Sequence, residues 1–225
     1  MTGSVTKSAP AAFPRLTRAD LPRVTTRTIH EGKGYQSSVY LVEVEGRVAA
    51  VKDYRKTPPF FRRVVGPFLL RRESKALCHL QGARGIPCFY GFVDRQAIMM
   101  EYVEGTPLAR FGEGELAPEV FERVGEAIAA IHARGVAHGD LKRRSNLILT
   151  PKGEIYLIDF AAAIIGGRPL RFFMNWLQRQ VAQVDNKALP RLKKFVAPEL
   201  LTPDEKYRLE NPTKLEKAFR RVFNR

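Results

Sequence analysis

Cysteine is nearly missing. Cys78 and Cys88 are the only two in 225 residues and lack metal-ligand spacing, which excludes a disulfide framework and suits a reducing cytoplasm. Both read as small buried hydrophobes. No apolar run approaches the ~20 residues that span a bilayer, and no signal-like hydrophobic region opens the chain. The expectation is a soluble or peripheral protein. Internal repeats are absent as well, which excludes a repeat array. Acids are scarce: 23 Asp and Glu stand against 38 Lys and Arg, a formal charge of +15. That excess asks for an anionic partner. No recognised nucleic-acid motif accompanies it, so nucleic acid is not the expected one.

What is present suffices for one sizeable core, since 44% of the chain is hydrophobic. Residues 1–25, rich in Ala, Pro, Ser, Thr and Arg without a helical apolar stripe, read as a largely disordered lead-in. The remainder, 26–225, reads as a single domain of two lobes sharing a cleft. An amphipathic helix is predicted from Pro118 to Arg134, where Phe121, Val124, Ile128 and Ile131 recur at helical spacing and Gly135 supplies the stop. Downstream, Leu147-Ile148-Leu149 and Ile155-Tyr156-Leu157-Ile158 flank the turn at 151–153 and predict a hairpin.

Chemistry gathers around that hairpin. His138-Gly139-Asp140-Leu141-Lys142 precedes Asn146 on one side, and Asp159-Phe160-Ala161 follows on the other. Phosphoryl transfer asks a protein mainly for positioning and charge neutralisation. Asp140 suits the orientation of an acceptor hydroxyl. Asn146 and Asp159 are oxygen donors of the kind Mg2+ prefers, and Lys142 suits the migrating phosphoryl charge. For Asp140 alone the blander reading is a turn cap. His138 reads as a buttress of the loop, because such histidines more often hold structure than move protons.

A nucleotide-binding half lies upstream, in chain order. Residues 29–42 read as strand, glycine turn and strand, with Gly32 and Gly34 in the turn and Val39 placed to cover a base. After a two-residue turn at Glu45-Gly46, a strand carries Ala50 and ends near Lys52, whose ammonium can reach phosphates. A lysine held in place needs a carboxylate, and Glu73, opening the helical pattern 73–80, is the candidate.

Taken together, Ala50-Val51-Lys52, Glu73, Met100-Glu101-Tyr102-Val103, the 138–146 loop and Asp159-Phe160-Ala161 resemble the protein kinase superfamily over about residues 27–165. The resemblance implies an α+β, bilobal fold: an antiparallel-sheet N-lobe (26–100), a hinge (101–104) and a reduced, mainly helical C-lobe (105–225). It implies ATP and Mg2+ as cofactors, with Met100 gating the back pocket and Glu101 and Val103 offering backbone groups to adenine. Three departures stand out: Ala161 replaces a glycine, the interval from Asp140 to Asn146 is one residue longer than usual, and Gly139 replaces an arginine that receives an activating phosphate. Ala197-Pro198-Glu199 looks like the motif closing the activation segment, yet too little chain follows for the usual large lobe. Helices near 171–183 and 185–195 are expected to pack directly after the metal turn instead. The compact arrangement is more loosely similar to small bacterial kinases of the lipopolysaccharide-kinase-like and RIO-like groups.

The resemblance thus implies an ATP-dependent phosphotransferase acting on a hydroxyl, with protein Ser or Thr as the default acceptor. A sugar of the lipopolysaccharide core is the alternative, and a nucleotide-binding pseudokinase scaffold is a third reading. Two segments mix cations with bulky apolar residues: Arg55 to Arg72, and Lys214 to Phe223. Each reads first as a core-facing stripe with solvated cations. The other reading is peripheral docking on an anionic membrane at the cytoplasmic face.

Overall fold

Antiparallel strand pairing organises the first part of the chain. The computed structural model describes residues 13–166 and 172–211, and they fall into two compact units that divide between Val103 and Glu104. The first contains α1 (Leu21–Val24), β1 (Thr25–His30), β2 (Ser38–Val44), β3 (Arg47–Asp53), α2 (Gly66–His79), β4 (Phe89–Asp94) and β5 (Ala97–Glu101). Its strands form one antiparallel sheet in the order β1-β2-β3-β5-β4. Between β2 and β3, Glu45 and Gly46 both take positive φ, 52° and 71°, as a two-residue turn matched to strand twist requires.

Register decides which side chains share a face. Val39 pairs with Lys52 and Leu41 with Ala50, while Lys52 pairs with Ile98 and Ala50 with Met100, so all six lie on one side of the sheet. The other side carries Val42, Ala49, Val51, Ala97 and Met99, which pack against Phe13, Leu16 and Leu21. The expectation of a disordered lead-in over 1–25 is therefore corrected for its described part. Those three apolar residues have no periodicity of their own, and only the sheet makes them core. Arg18 fastens the segment, with Nε donating to Asp94 Oδ2 at 2.7 Å and a second guanidinium nitrogen on Asp53.

α2 is longer than the pattern 73–80 suggests. A π-helical turn over Phe61–Val65 runs straight into it, so Glu73 lies mid-helix instead of opening it. Gly66 permits this entry, because a Cβ there would sit 2.9 Å from Tyr54 Cβ. Leu70, Ala76 and Leu77 face inward and are buried. Cys88 is buried as expected, but Cys78 is exposed, because it falls on the outer side of α2.

The second unit comprises β6 (Thr106–Pro107), α3 (Pro118–Ala133), β7 (Val136–Ala137), β8 (Leu147–Leu149), β9 (Ile155–Leu157), β10 (Ile164–Ile165), α4 (Phe172–Asp185), α5 (Ala188–Val196) and α6 (Pro203–Glu210). α3 buries Phe121, Val124, Ile128 and Ile131 and stops at Gly135, whose φ is 71°. β6, β8 and β9 form a small antiparallel sheet, and β7 pairs with β10. α4 packs on β7 and β10, and α5 on α3. Thr202 and Glu205 cap α6 reciprocally. A sheet-built unit and a mainly helical one make the fold α+β. Among the described residues no helix is long and apolar enough to cross a membrane. The apolar and basic pattern from Lys214 to Phe223 lies outside the described residues.

Candidate active site

In the first unit, a lysine and a glutamate distant in sequence meet. The Lys52 ammonium donates to Glu73 Oε2 at 2.7 Å, with side chains only 10% and 2% exposed. Removing one member of so buried a pair strands a charge and typically costs about 3–5 kcal/mol. Lys52 sits on the sheet face that also holds Val39, Ala50 and Met100, a lysine bordered by an apolar surface. Toward one end of that face the glycine turn folds on itself: Gly32 N–H donates to Ser38 Oγ at 3.2 Å, and Gln36 N–H to the Lys33 carbonyl at 3.1 Å. A Cβ on Gly32 would lie 2.2 Å from the Gln36 oxygen, and Gly34 has φ 60°. Both positions therefore require glycine. At the other end, the Glu101 amide and carboxylate are engaged with Cys88, by 2.8 and 3.0 Å bonds. Whatever Glu101 offers a base is not that amide. Val103 follows, half-buried and outside any regular element.

In the second unit, local bonds bring three candidates together. Asn146 Nδ2 donates to the Asp140 carbonyl at 3.1 Å, and the Asn146 carbonyl accepts the Ile158 amide at 3.0 Å, next to Asp159. The extra residue between Asp140 and Asn146 is absorbed by a 3₁₀ turn over Arg144–Asn146. With its amide nitrogen committed to Asp140, Asn146 has Oδ1 as the atom to offer a cation. Asp159 adopts φ 66°, ψ 68°, a left-handed conformation uncommon outside glycine, though Asp tolerates it better than most. Among the described residues no group of three or more His, Cys, Asp or Glu converges as a metal cage. An amide plus a carboxylate is instead the sparse oxygen set that fits Mg2+, which keeps waters and substrate oxygens. Lys142 is exposed on the same loop.

A profile of the protein kinase domain matches residues 26–211. The chain belongs to the protein kinase family. A probable bifunctional tRNA threonylcarbamoyladenosine biosynthesis protein of Methanosarcina mazei is 33% identical over 137 residues, 58% of this chain and 23% of that protein. Serine/threonine-protein kinase PknH of Mycobacterium tuberculosis is 34% identical over 146 residues, 59% of this chain and 22% of its own length. PknE of the same species is 30% identical over 145 residues, 59% and 25%. The chain thus spans a quarter or less of each of these relatives.

The kinase domain's departures have visible causes. Gly139 has φ 80°, and a Cβ there would stand 2.7 Å from the Ala162 oxygen. An arginine cannot occupy that place while the loop packs on the turn after Asp159. Ala161 is free of strain, since Phe160–Ala162 forms a 3₁₀ turn and, of the described non-glycine residues, only Glu45 and Asp159 have positive φ.

Sequence reasoning missed Asp185. Expected to open a helix, it closes α4 and is buried, its carboxylate accepting the His138 amide at 2.6 Å and the Gly139 amide at 3.0 Å. His132 Nε2 lies 3.4 Å away. A lone acid in the run Gln183-Val184-Asp185 was the available signal, and its partners were not legible. His138 is buried beneath the loop and against Phe160, with ring centroids 4.6 Å apart. Nε2 donates to the Ile158 carbonyl at 2.9 Å while Nδ1 accepts the Asp140 amide at 3.3 Å, which defines one neutral tautomer. Burial holds its pKa below the ordinary value. Burial also pushes the Asp140 carboxyl above its ordinary range, with Asp159 acting in the same direction and Arg143 and Lys142 against it. Arg143 Nε stands 3.3 Å from Asp140 Oδ2.

Proposed function

We propose that this kinase domain transfers the γ-phosphoryl group of ATP to a hydroxyl, with Ser or Thr of a protein as the acceptor. The observation that carries the reading is the chain of bonds from Asp140 through Asn146 to the strand end before Asp159. In the reaction the acceptor oxygen bonds to the γ-phosphorus, the bond to the β-γ bridging oxygen breaks, and ADP leaves. Asp140 orients the hydroxyl and takes its proton. Lys52, positioned by Glu73, holds the α- and β-phosphates, while Val39, Ala50 and Met100 cover the base. Lys142 offsets charge on the group in flight. Asn146 and Asp159 would hold Mg2+, which neutralises the phosphate oxygens when bound. Likeness to the two mycobacterial serine/threonine-protein kinases supports protein as the acceptor.

The test is transfer from γ-labelled ATP with magnesium to the chain itself, to a generic protein and to isolated lipopolysaccharide. Label on protein that disappears in Asp140→Asn, and in Lys52→Met by 10²-fold or about 3 kcal/mol of transition-state stabilisation, is expected, with both variants folded. Label confined to lipopolysaccharide would replace the acceptor by a sugar hydroxyl. Nucleotide binding without transfer would leave a scaffold.

A further inference from the structure

The basic, apolar segment ahead of Glu73 divides its large side chains: Leu70, Phe61 and Leu69 pack on the core, while three others do not. Phe60, Val64 and Phe68 are 73%, 55% and 58% exposed. They stand at four-residue intervals on the continuous helical stretch formed by the π turn and α2, and so stack along one side of it. Arg63 flanks this side three residues on from Phe60, and Arg71 and Lys75 continue it towards the C-terminal end, all exposed. Leu70, Ala76 and Leu77 occupy the opposite side, buried. The helix therefore has two apolar stripes, one packed and one facing solvent. The core-facing reading holds for the first and fails for the second.

Charge identifies what the outer stripe meets. From residue 55 to 75 there are seven Lys and Arg and one acid, Glu73, which is buried against Lys52. An aromatic and aliphatic ridge flanked by cations on a convex helix is the chemistry of an anionic lipid surface: side chains enter the acyl boundary while the cations meet headgroups. Tyr35, 67% exposed on the glycine turn, packs at a tilt against Phe61 with centroids 5.3 Å apart and adds an amphipathic ring at the edge. A nucleic-acid backbone would use the cations but not the ridge.

We infer that the outer side of α2 and its leading π turn docks the protein on anionic bilayers, independently of phosphoryl transfer. The full chain is to be mixed with vesicles of phosphatidylcholine alone and with vesicles also containing phosphatidylglycerol, without ATP. Wild type should sediment with the anionic vesicles only. Arg63→Gln/Arg71→Gln/Lys75→Gln should partition about 100-fold more weakly, and Phe60→Ser/Val64→Ser/Phe68→Ser should lose the fraction that stays bound at high salt. All six side chains are exposed, so neither triple should lower the thermal midpoint. An environment-sensitive dye on exposed Cys78, with Cys88 buried, should shift to shorter wavelength on anionic vesicles. Absence of wild-type binding, binding that neither triple weakens, or full displacement by heparin with the apolar triple behaving as wild type would each overturn the inference.

Discussion

Asp140 carries two opposing influences, and they separate experimentally. Burial raises its carboxyl pKa, while Arg143, 3.3 Å away, pulls it down. If Asp140 must be ionised to orient the hydroxyl, activity falls as pH drops through this raised value. The acid limb of kcat/KM should therefore lie above the ordinary carboxylate range. Removing the counter-charge in Arg143→Gln should move that limb to still higher pH. A limb that stays put or moves down would deny Asp140 the role. Burial disfavours the charged form of His138 and lowers its pKa below the usual imidazole value. At this scale the sequence was most legible, since Asp140, Asn146 and Asp159 are chemical types whose spacing carries meaning. What spacing hides is commitment: that Asn146 turns its amide nitrogen to Asp140, or that the Glu101 amide is held by Cys88, follows from folded geometry alone.

Among elements, the loop before β8 depends on a helix it never adjoins in sequence. Asp185 at the end of α4 accepts two successive loop amides, each a charge-assisted bond inside a buried environment. Asp185→Asn keeps the volume but turns a donor towards at least one peptide N–H. A loss of about 2–4 kcal/mol of unfolding free energy in urea is expected, together with reduced turnover. A loss below about 1 kcal/mol would mean that the bonds are dispensable. Elements set by local signals were legible: the Glu45-Gly46 turn, the apolar spacing of α3 and the β8–β9 hairpin all follow from residues near one another. α2 begins earlier than its sequence pattern suggests because Phe60, Val64 and Phe68 do not point inward, and a solvent-facing stripe obscures where a helix begins.

For the molecule as a whole, an excess of +15 charges works against compaction, since like charges crowd together on folding. Raising salt from low to near-physiological concentration, where the screening length shortens to about 8 Å, should raise the thermal midpoint by a few degrees, about what 1 kcal/mol does for a chain of this size. A midpoint that falls with salt would show that ion pairs such as Arg18 with Asp53 and Asp94, or Lys193 with Glu205, outweigh the repulsion. The α+β architecture was legible because motif order mirrors element order. The segment around Phe13 and Leu16 was not, because its burial is created by the far side of a sheet assembled from later strands.

That segment has a practical corollary. Family likeness begins at residue 26, a tempting place to trim the chain. Trimming there would peel Phe13, Leu16, Leu21 and the Arg18 clasp from the sheet, leaving Val42, Val51 and Met99 wet. Material made that way would be sticky and prone to precipitate, and its failure would say nothing about the catalytic half.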